Sequence, residues 1–518
     1  MKKAFFLSRR SILFWIGWLG SSLGTLQPIQ GQEARAQEAR AQEASTQEAP
    51  VQEALADRRP NILWLIADDL GYGELSCQGV TDVPTPGIDR LAKTGIRFTQ
   101  AYVSASFCSP SRAGLLSGRY QTRFGHELNP VGDHNREPLA GMPAEVDTVA
   151  EALRNEGYRT GLVGKWHLGG TPELHPQEQG FESFFGFLNE GHYYVPKPYE
   201  GVLTFLRRKE LPQGGQGRQR VGETIFSTHL PYDEPAYDFH NPLMRGTQEV
   251  EVDEYYTDAI TREACDFIEG HAEEPFFLCV TYSAVHSPMQ APLETIDEYS
   301  QIKDVHRRVF AGMLHHLDRS VDTLLNRLEE LNLAQDTLVV FLSDNGGPTR
   351  ELTSSNAPLR SGKGSLYEGG IRVPMLVRWP SRWKGASEFK DPVIALDWMP
   401  TMLAAAEAPA PPVTDGVNLL PYLDGKGAGR PHSSLYWRMG NKTAFRNGDW
   451  KIIAQSRSGL VADQQARSLK WELYHLKDDL SENHDLASAE PERLRQLIEA
   501  WAVVNAEMVE PRWRPQRR

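Results

Sequence analysis

The sequence predicts an α/β fold in which a central, mostly parallel mixed sheet is flanked by helices and followed by a small C-terminal α+β unit. Short, nearly continuous apolar runs alternate with helical patterns from residue 59 to about residue 429, as buried parallel strands and their crossover helices do. Polar residues follow each apolar run directly, and open α/β sheets bind ligands at that edge. After residue 430, short strands separated by turn signals predict an antiparallel sheet.

Four apolar runs are the predicted strands of the main sheet. They are Asn61–Ala67, 160–163, Phe276–Thr281 and 337–342. Helical periodicity between them predicts helices over 147–155, 255–269 and 306–331. Residues 190–250 are rich in Tyr, Pro, Gly and Arg and show weak periodicity, so we interpret them as an insertion or long loop that contacts substrate. Arg207, Arg208, His192 and Arg245 are candidate contacts within it.

The C-terminal unit is predicted to be a small sheet with one packing helix. Its strands are expected at 434–438, 443–446, 450–454 and 471–474, with Asn447 and Gly448 forming a hairpin turn. A helix is expected over 490–506. The chain therefore divides into a catalytic domain over 59–429 and a C-terminal α+β subdomain over 430–518.

The N-terminal residues 1–36 have the pattern of a secretory signal peptide. Two pairs of basic residues precede an apolar stretch over 12–19, which is too short to span a membrane comfortably. Arg9 and Arg10 fit a twin-arginine signal, and a general secretory signal is the alternative, as is a membrane anchor that stays in place. Residues 37–58 continue a Gln-Glu-Ala repeat as a low-complexity linker. We therefore expect a periplasmic or secreted enzyme without a membrane segment in its mature form.

Composition excludes several classes of protein. The 518 residues include 55 Lys and Arg against 68 Asp and Glu, which gives a net charge of −13. This balance argues against non-specific binding to nucleic acid or to an anionic membrane, although a few local cations could still bind an anionic substrate. The four cysteines include no C-x-x-C pair, so a disulfide scaffold and a zinc ribbon are both excluded.

Two groups of residues carry the chemistry. In the first, Pro110 suits a first helical turn and the pattern continues over 113–120, so Cys108 is predicted at a helix N-terminus, which favours anions. Arg112 lies one turn further on, where it can pair with an anion. The second group offers only oxygen ligands, which suit Ca²⁺ or Mg²⁺ rather than zinc. Its members follow two predicted strands and are Asp68, Asp69, Asp344 and Asn345.

The segment from Cys108 to Arg112 resembles the C-x-P-S-R signature of the formylglycine-dependent sulfatases, a family of the alkaline phosphatase superfamily. Further blocks of that family follow in the usual order. They are Asp68-Asp69, 164–169 (GKWHLG), 343–346 (SDNG), 362–364 (GKG), 368–374 (EGGIRVP) and a tail over 472–486. The resemblance covers about residues 59–490 and implies an alkaline-phosphatase-like α/β sandwich.

This resemblance implies that a maturation enzyme oxidises Cys108 to Cα-formylglycine. One hydroxyl of the hydrated aldehyde would attack the sulfur of a sulfate monoester, the S–O bond to the alcohol would break so that the alcohol leaves, and a covalent sulfo-enzyme intermediate would form. The second hydroxyl would then expel sulfate. In the family a Ca²⁺ ion lies beside the formylglycine, and here its ligands would be residue 108 together with Asp68, Asp69, Asp344 and Asn345.

The resemblance also assigns roles to the remaining polar residues. His167 matches the base of the second step, and Lys165 and Arg112 match residues that hold the formylglycine hydroxyls. His286 and Lys363 match residues that bind sulfate and assist the leaving oxygen, with His286 as the candidate general acid; Lys165 also lies at this sulfate site. The i, i+2 spacing of Lys165 and His167 predicts that both face the same way on an extended segment.

The expected partner is a sulfated saccharide, although the motifs do not dictate that class. Two alternatives remain open. One is a phosphatase or phosphonate monoester hydrolase of the same superfamily, and the other is a catalytically silent protein that binds sulfated glycans with unmodified Cys108. His126, His315 and His316 raise the question of zinc, but adjacent histidines point apart on a helix, so we interpret His315 and His316 as structural.

Overall fold

A ten-stranded mixed sheet lies at the centre of the protein. The computed structural model describes residues 59–80, 82–457, 459–464 and 466–515. The predicted signal peptide (1–36) and linker (37–58) lie outside the described residues. The strands are β1 (Asn61–Ala67), β2 (Ile96–Phe98), β3 (Ala101–Tyr102), β4 (Arg159–Lys165), β5 (Ser183–Phe187), β6 (Val202–Arg207), β7 (Arg218–Val221), β8 (Thr224–Ser227), β9 (Met244–Arg245), β10 (Gln248–Glu249), β11 (Phe276–Thr281), β12 (Met289–Pro292), β13 (Thr337–Ser343), β14 (Met375–Arg378), β15 (Ser387–Phe389), β16 (Val393–Ile394), β17 (Ser434–Met439), β18 (Lys442–Asn447), β19 (Trp450–Gln455) and β20 (Lys470–His475).

Helices connect these strands. The α-helices are α1 (Pro86–Thr94), α2 (Cys108–Ser117), α3 (Val149–Asn155), α4 (Tyr256–Gly270), α5 (Leu293–Glu298), α6 (Val305–Glu330), α7 (Thr349–Leu352), α8 (Glu368–Ile371), α9 (Trp398–Ala405), α10 (Leu420–Leu423) and α11 (Pro491–Asn505). Short 3₁₀ turns supplement them at Tyr72–Glu74, Ser76–Gln78, Gln121–Arg123, Gly132–Arg136, Pro172–Leu174, Pro176–Gln179, Ala395–Asp397, Val461–Asp463 and Ala466–Ser468. None of the helices among the described residues is long and apolar enough to cross a membrane.

The centre of the large sheet is parallel and its flanks are mixed. The strand order is β10-β9-β5-β4-β11-β1-β13-β14-β2-β15, and the run from β5 to β13 is parallel throughout. Pairing of Ala67 with Ser343 in register aligns the carboxyl ends of β1 and β13. The residues that follow these two strands therefore start at the same edge of the sheet.

Both faces of the sheet are covered, as the alternation in β1 illustrates. Ile62, Trp64 and Ile66 belong to a buried cluster with residues of α2, α3 and α9. Leu63 and Leu65 belong to a second cluster with residues of α4 and α6 on the other face. Full burial of each such side chain stabilises the fold by roughly 1.5–3 kcal/mol. The predicted layer arrangement, with helices on both faces, is confirmed.

The predicted strands and helices of the catalytic part lie within one or two residues of their expected bounds. The helix of Cys108 ends at Ser117, earlier than the predicted 113–120, because Gly118 adopts φ 61°. The interpretation of 190–250 as an insertion or loop was wrong in part, since β6 to β10 lie in it. Three of these strands form a second sheet with β12, in the order β12-β6-β8-β7. They escape sequence analysis because β7 and β8 are short and β7 is largely exposed.

The C-terminal sheet β17-β18-β19-β20 is antiparallel throughout. Helix α11 packs on it through Trp501, whose ring centroid lies 5.0 Å from that of Trp471. The sheet shares a core with the main part of the chain, where the Trp437 Nε1–H donates to the Val103 carbonyl over 2.7 Å. The predicted division between residues 429 and 430 stays a prediction, and Arg59–Arg518 forms one compact unit.

Candidate active site

Polar side chains from several strand ends meet at one edge of the large sheet. Asp68 and Asp69 follow β1, Asp344 and Asn345 follow β13, and Lys165 ends β4. All five are completely buried. The predicted convergence of these residues is therefore what the fold produces, because the parallel strands all end at this edge.

Three of these residues form a cluster with Cys108 that could hold a cation. Ligand atoms of Asp68, Asp69, Cys108 and Asp344 all lie within 4.8 Å of one another. Asn345 donates its Nδ2–H to Asp69 over 2.7 Å, which leaves its Oδ1 buried without a hydrogen-bond partner among the described residues. Carboxylate and amide oxygens are the ligands that Ca²⁺ and Mg²⁺ prefer, so the donor set fits such an ion.

Three cations surround the three carboxylates. The pairs are Lys165 Nζ with Asp68 Oδ2 at 2.6 Å, Arg112 Nη2 with Asp344 Oδ2 at 2.9 Å, and Lys363 Nζ with Asp69 Oδ2 at 2.7 Å. These six formal charges cancel. A divalent ion would therefore give the site a net positive charge, which suits an anionic substrate and an ionised nucleophile.

Burial and neighbouring charges shift the pKa values of the three carboxyl groups in different directions. Burial, assisted by the neighbouring carboxylates and opposed by Lys363, raises the pKa of Asp69 to about 7. Burial also raises the pKa of Asp344, and the charge of Asp68 adds to the effect. For Asp68, burial is outweighed by Lys165 and the other nearby positive groups, which hold its pKa well below the usual range. A bound cation would favour the charged form of all three.

Cys108 is the first residue of α2, as predicted, and its side chain is 1% exposed. Its Sγ lies 3.3 Å from Asp68 Oδ1. Burial and the Asp68 carboxylate raise the pKa of the thiol, so the unmodified side chain is a protonated thiol rather than a nucleophilic thiolate. The next residue, Ser109, is fixed by Asn129 through its backbone N–H and by His126 through its hydroxyl.

Arg112 pairs with a carboxylate of the cluster itself. Its Nε–H donates to Asp344 Oδ2 over 2.9 Å and its Nη1–H donates to the carbonyl of Lys165 over 2.9 Å. The predicted partner was an anion at the end of the helix. The guanidinium instead ties together the ends of β4 and β13, and it holds Asp344 in the cluster.

His167 presents one ring nitrogen to the interior without a partner. Its Nε2 lies 2.8 Å from the Pro130 carbonyl, and a carbonyl only accepts, so Nε2 carries the proton. Nδ1 then holds a lone pair and has no partner among the described residues. Burial, followed by the charge of Lys165, lowers the pKa of His167 well below its usual value. A neutral imidazole with a free lone pair is suited to accept a proton.

The expectation that Lys165 and His167 face the same way was wrong. It assumed an extended segment, but His167 adopts a left-handed backbone conformation with φ 58°. Lys165 therefore reaches Asp68, while His167 turns towards the Pro130 carbonyl. Left-handed backbone at a non-glycine residue is uncommon and costs conformational energy, and here it occurs at both His167 and the neighbouring site residue Asp69.

His286 is held from both sides on the loop after β11. Its Nδ1 lies 2.6 Å from the Ser287 carbonyl, so Nδ1 carries a proton, and its Nε2 lies 3.7 Å from Asp69 Oδ2. The Tyr194 hydroxyl donates to the His286 carbonyl over 3.0 Å. Burial and the charge of Lys363 lower the pKa of His286 well below its usual value. The negative charge of a bound ester would favour the imidazolium that a general acid needs.

Lys363 links the cluster to an open cavity of about 890 Å³. It lies in the loop between α7 and α8, and it contributes to the cavity wall with segments 230–232, 347–351, 355–359 and 361–362. A cavity of this volume accommodates a small saccharide or a drug-sized molecule. The structure thus places Lys363 between the cavity and the carboxylate cluster.

Two of the candidate substrate contacts are paired with carboxylates that were not predicted. Arg207 was a candidate substrate contact, but it is buried and paired with Glu234 at 2.5 Å and with Glu351 at 2.6 Å. Its Nη2–H also donates to the Ser287 hydroxyl over 3.4 Å, next to His286. Arg245 is likewise paired, with Glu263. Only the tertiary structure brings these groups together, since they are far apart in the sequence.

The histidines considered for zinc have other partners. His316 lies 2.9 Å from both the Asp258 carboxylate and the Thr295 hydroxyl. His315 lies 3.1 Å from the Tyr299 hydroxyl. Both are structural, as predicted. The groups of potential metal ligands among the described residues contain neither of them, nor His126, and all four cysteines are free.

Comparison with known proteins identifies two family models in this chain. The model described as Sulfatase matches residues 60–408. The model described as N-sulphoglucosamine sulphohydrolase, C-terminal, matches residues 362–500. Together the two models extend across the large sheet and the whole of the C-terminal sheet.

Curated relatives match most of the chain. Arylsulfatase A of Homo sapiens is 34% identical over 466 residues, which cover 85% of this chain and 86% of that protein. N-acetylgalactosamine-6-O-sulfatase of Bacteroides thetaiotaomicron is 30% identical over 501 residues, which cover 85% of this chain and 92% of that protein. The similarity extends over most of the length of both relatives.

Solved structures agree with these relatives. The crystal structure of Ps i-CgsB is 34% identical, has a TM-score of 0.74, and covers 88% of this chain and 95% of that chain. The phosphonate monoester hydrolase of Agrobacterium radiobacter is 18% identical, has a TM-score of 0.59, and covers 86% of this chain and 95% of that chain. The latter likeness shows a shared fold.

Proposed function

The chain belongs to the sulfatase family and is a sulfuric ester hydrolase, and on that premise we propose that it hydrolyses sulfate monoesters of carbohydrates with a formylglycine made from Cys108. The alkaline-phosphatase-like fold class predicted from the sequence is confirmed by the similar structures. The observation that carries the proposal is the position of Cys108, which begins α2 beside three carboxylates and three cations.

The environment of Cys108 supports a modified nucleophile. Its thiol is held protonated by burial and by Asp68, so it is poorly activated as it stands. Formylglycine at this position supplies a hydrated aldehyde, whose hydroxyl is the nucleophile. Lys165, which lies 2.6 Å from Asp68, and Lys363 provide positive charge around residue 108, as does Arg112, and that charge favours an ionised oxygen there.

Asp68, Asp69, Asp344 and Asn345 would hold a Ca²⁺ ion, with Mg²⁺ as the alternative hard cation. The buried Asn345 Oδ1 without a partner supports this assignment, because burying an unpaired carbonyl oxygen is costly. When bound, such an ion polarises the sulfate oxygens and stabilises negative charge. Lys363 and His286 would contact the remaining sulfate oxygens from the side of Asp69.

The two histidines have complementary positions for proton transfer. His167 offers the free lone pair of Nδ1, so we assign it the removal of a proton from residue 108 when sulfate leaves. His286 offers Nε2, which lies with ligand atoms of Cys108 and Asp68 in a group whose members are within 4.8 Å of one another. A proton on this nitrogen would reach the leaving oxygen of the ester. Each group contributes typically 10²–10⁴-fold to such reactions.

A sulfated saccharide is the substrate class that the neighbours favour. Ps i-CgsB has been solved in complex with k-i-k-neocarrahexaose, and the Bacteroides thetaiotaomicron relative is named for an N-acetylgalactosamine sulfate. The cavity beside Lys363 is open and large enough for a sugar. We propose that this enzyme is exported to the periplasm or secreted, and that it meets its maturation enzyme beforehand.

Free sulfate released from defined sulfated saccharides and an aryl sulfate tests the proposal. Protein confirmed by mass spectrometry to carry formylglycine should release sulfate, and Cys108→Ser should lower the rate by at least about 10³-fold, because serine lacks the second hydroxyl. Phosphate and phosphonate esters belong in the same panel. Faster release of phosphate than of sulfate would support a phosphohydrolase instead, and binding of saccharides without any release by modified protein would support a silent glycan-binding protein.

A further inference from the structure

A second cavity lies on the C-terminal sheet, beside the loop that carries Lys363. This terminal-sheet groove has a volume of about 510 Å³. Its walls include Lys442, Gln455, Arg457 and Lys470 on the sheet side and the segment 365–367 on the other side. The groove is thus lined by three cations that none of the assigned roles uses.

The register of the sheet places three of these residues in one row. Lys442 pairs with Gln455 across β18 and β19, and Gln455 pairs with Lys470 across β19 and β20. Directly opposed residues of antiparallel strands share a face of the sheet. Neighbouring strands lie about 4.8 Å apart, so the two lysines start roughly 10 Å apart with an amide between them. A row of this length suits an extended polar chain that carries charged groups better than it suits one small free ion.

Among the described residues that line the groove, three cations face a single carboxylate, that of Glu472. Lys442 is half-buried and donates to the Gly364 carbonyl, and burial lowers its pKa without a carboxylate to oppose the effect. Among the described residues no ion pair involves Lys442, Arg457 or Lys470. The Glu472 carboxylate in the groove already accepts from the hydroxyls of Tyr367 and Tyr474. A half-buried ammonium without a counter-ion favours an anionic ligand.

The terminal-sheet groove adjoins the candidate active site. Lys363 lines the first cavity and Ser365 lines the groove, so the two cavities flank one short loop. Gly364 lies between them, and its N–H donates to the Ser106 carbonyl over 2.8 Å, two residues before Cys108. One ligand that extends past this loop could therefore occupy both cavities.

We propose that the terminal-sheet groove binds a second sulfate group of the saccharide whose first sulfate is hydrolysed beside Cys108. The inference rests on the proposed function for its first sulfate, and it specifies the substrate as a saccharide with at least two sulfates. A charged oxygen ligand would replace water on Lys442 and would bridge towards Lys470 and Arg457, where charge-assisted hydrogen bonds are stronger than neutral ones.

Binding without turnover tests the groove separately from catalysis. Cys108→Ala protein, which has no hydroxyl to attack the ester, is titrated calorimetrically with a tetrasaccharide that carries a sulfate on every sugar and with the same tetrasaccharide carrying a single terminal sulfate. Arg457→Gln with Lys470→Gln should weaken binding of the fully sulfated ligand about tenfold, since exposed charge pairs are individually modest. Binding of the singly sulfated ligand should change less than twofold. Lys390→Gln with Lys477→Gln removes the same charge outside the groove and is the matched control.

The outcomes separate the two proposals. If the groove variant and the control variant lost equal affinity for the fully sulfated ligand, the effect would be a general one of charge and the groove proposal would be overturned. Equal losses of affinity for the two ligands in the groove variant would overturn it as well. Sulfate release by modified wild-type protein from an aryl sulfate tests the proposed function independently. Selective binding without any sulfate release would leave the groove standing and would overturn the hydrolytic function. Thermal unfolding of every variant identifies a loss that comes from misfolding.

Discussion

The lone pair on His167 Nδ1 leads to a prediction about a single residue. His167→Asn removes the base, so a modified enzyme should still release the alcohol of an aryl sulfate but not the sulfate. We expect a burst of about one equivalent of phenol, followed by turnover that is roughly 10²–10⁴-fold slower. Stopped-flow absorbance with a sulfate assay measures both products. His484→Gln, whose side chain is 80% exposed, is the control, and steady release of sulfate at the wild-type rate would exclude His167 as the base.

The four oxygen-bearing residues of the cluster predict a dependence on metal. Removal of divalent ions with a chelator should abolish sulfate release and lower the melting temperature, because Asp68, Asp69 and Asp344 then face one another without the cation. Added Ca²⁺ at about 100 times its dissociation constant should restore roughly 2.7 kcal/mol of stability. Differential scanning fluorimetry with and without Ca²⁺ measures the shift. Asp344→Asn should reduce it, and an unchanged melting temperature in wild type would contradict the metal site.

At the scale of single residues, the sequence predicted which residues form the site. It did not predict which of their atoms take part in the chemistry. Asp68, Asp69, Asp344 and Asn345 could be named because they follow strands whose ends coincide. Which nitrogen of His167 is free could not be named, since the carbonyl that decides it belongs to Pro130, 37 residues earlier. The burial of Arg207 against Glu234 and Glu351 was also invisible, because three separate segments supply that network.

The contact between His432 and the segment before α9 makes stability depend on pH. His432 Nε2 lies 2.7 Å from Asp397 Oδ1. Burial opposes the charged imidazole, but Asp397 outweighs it and the pKa of His432 is raised above its usual value. The pair therefore contributes fully below about pH 6.5, the unfolded value, and its contribution is lost as pH rises through the folded pKa.

His432→Gln tests this contact directly. The melting temperature of the variant should lie further below that of wild type at pH 5.5 than at pH 8.5, by an amount equivalent to about 1 kcal/mol. His475→Gln removes a histidine whose partner Asp478 is exposed, and it should show a smaller dependence. A difference between wild type and His432→Gln that grows with pH would contradict the assigned sign.

The elements themselves divide into those that the sequence predicts well and those that it does not. Strands β1 and β11 were predicted with their exact bounds, because each is a fully buried apolar run. Strands β9 and β10 consist of two residues each and are partly or fully exposed, so no hydrophobic pattern marks them. Their pairing depends on contacts with β5 across the sheet edge.

For the whole molecule, the shared core predicts that the catalytic part does not fold alone. A fragment of residues 59–429 would expose a cluster that includes Tyr102, Leu366 and Ile371, which pack against the C-terminal sheet. It would also leave the buried Glu368 without Lys451, which lies 2.8 Å away. Loss of one partner of a buried pair costs about 3–5 kcal/mol, comparable to much of a typical domain's stability.

Near-UV circular dichroism and urea unfolding of the fragment check this prediction. We expect weak near-UV signal and a broad transition for 59–429, against a sharp transition for 59–518. Lys451→Met in the longer chain should also lower the free energy of unfolding, because it removes the ammonium that pairs with both Glu368 and Glu482. A fragment that unfolds sharply and keeps its near-UV spectrum would show that the predicted division at residue 429 separates autonomous domains.

The burial of Cys108 determines whether the residue can be modified before or after the chain folds. Only 1% of its side chain is exposed, at the start of a helix whose every residue is buried. Under the proposed function, a maturation enzyme that grasps this segment would therefore act on the nascent or unfolded polypeptide. If the twin-arginine signal is used, which carries folded proteins, conversion has to be finished in the compartment of synthesis. A molecule that folds first would then keep its thiol, and we expect that adding the maturation enzyme to folded protein would not restore sulfate release.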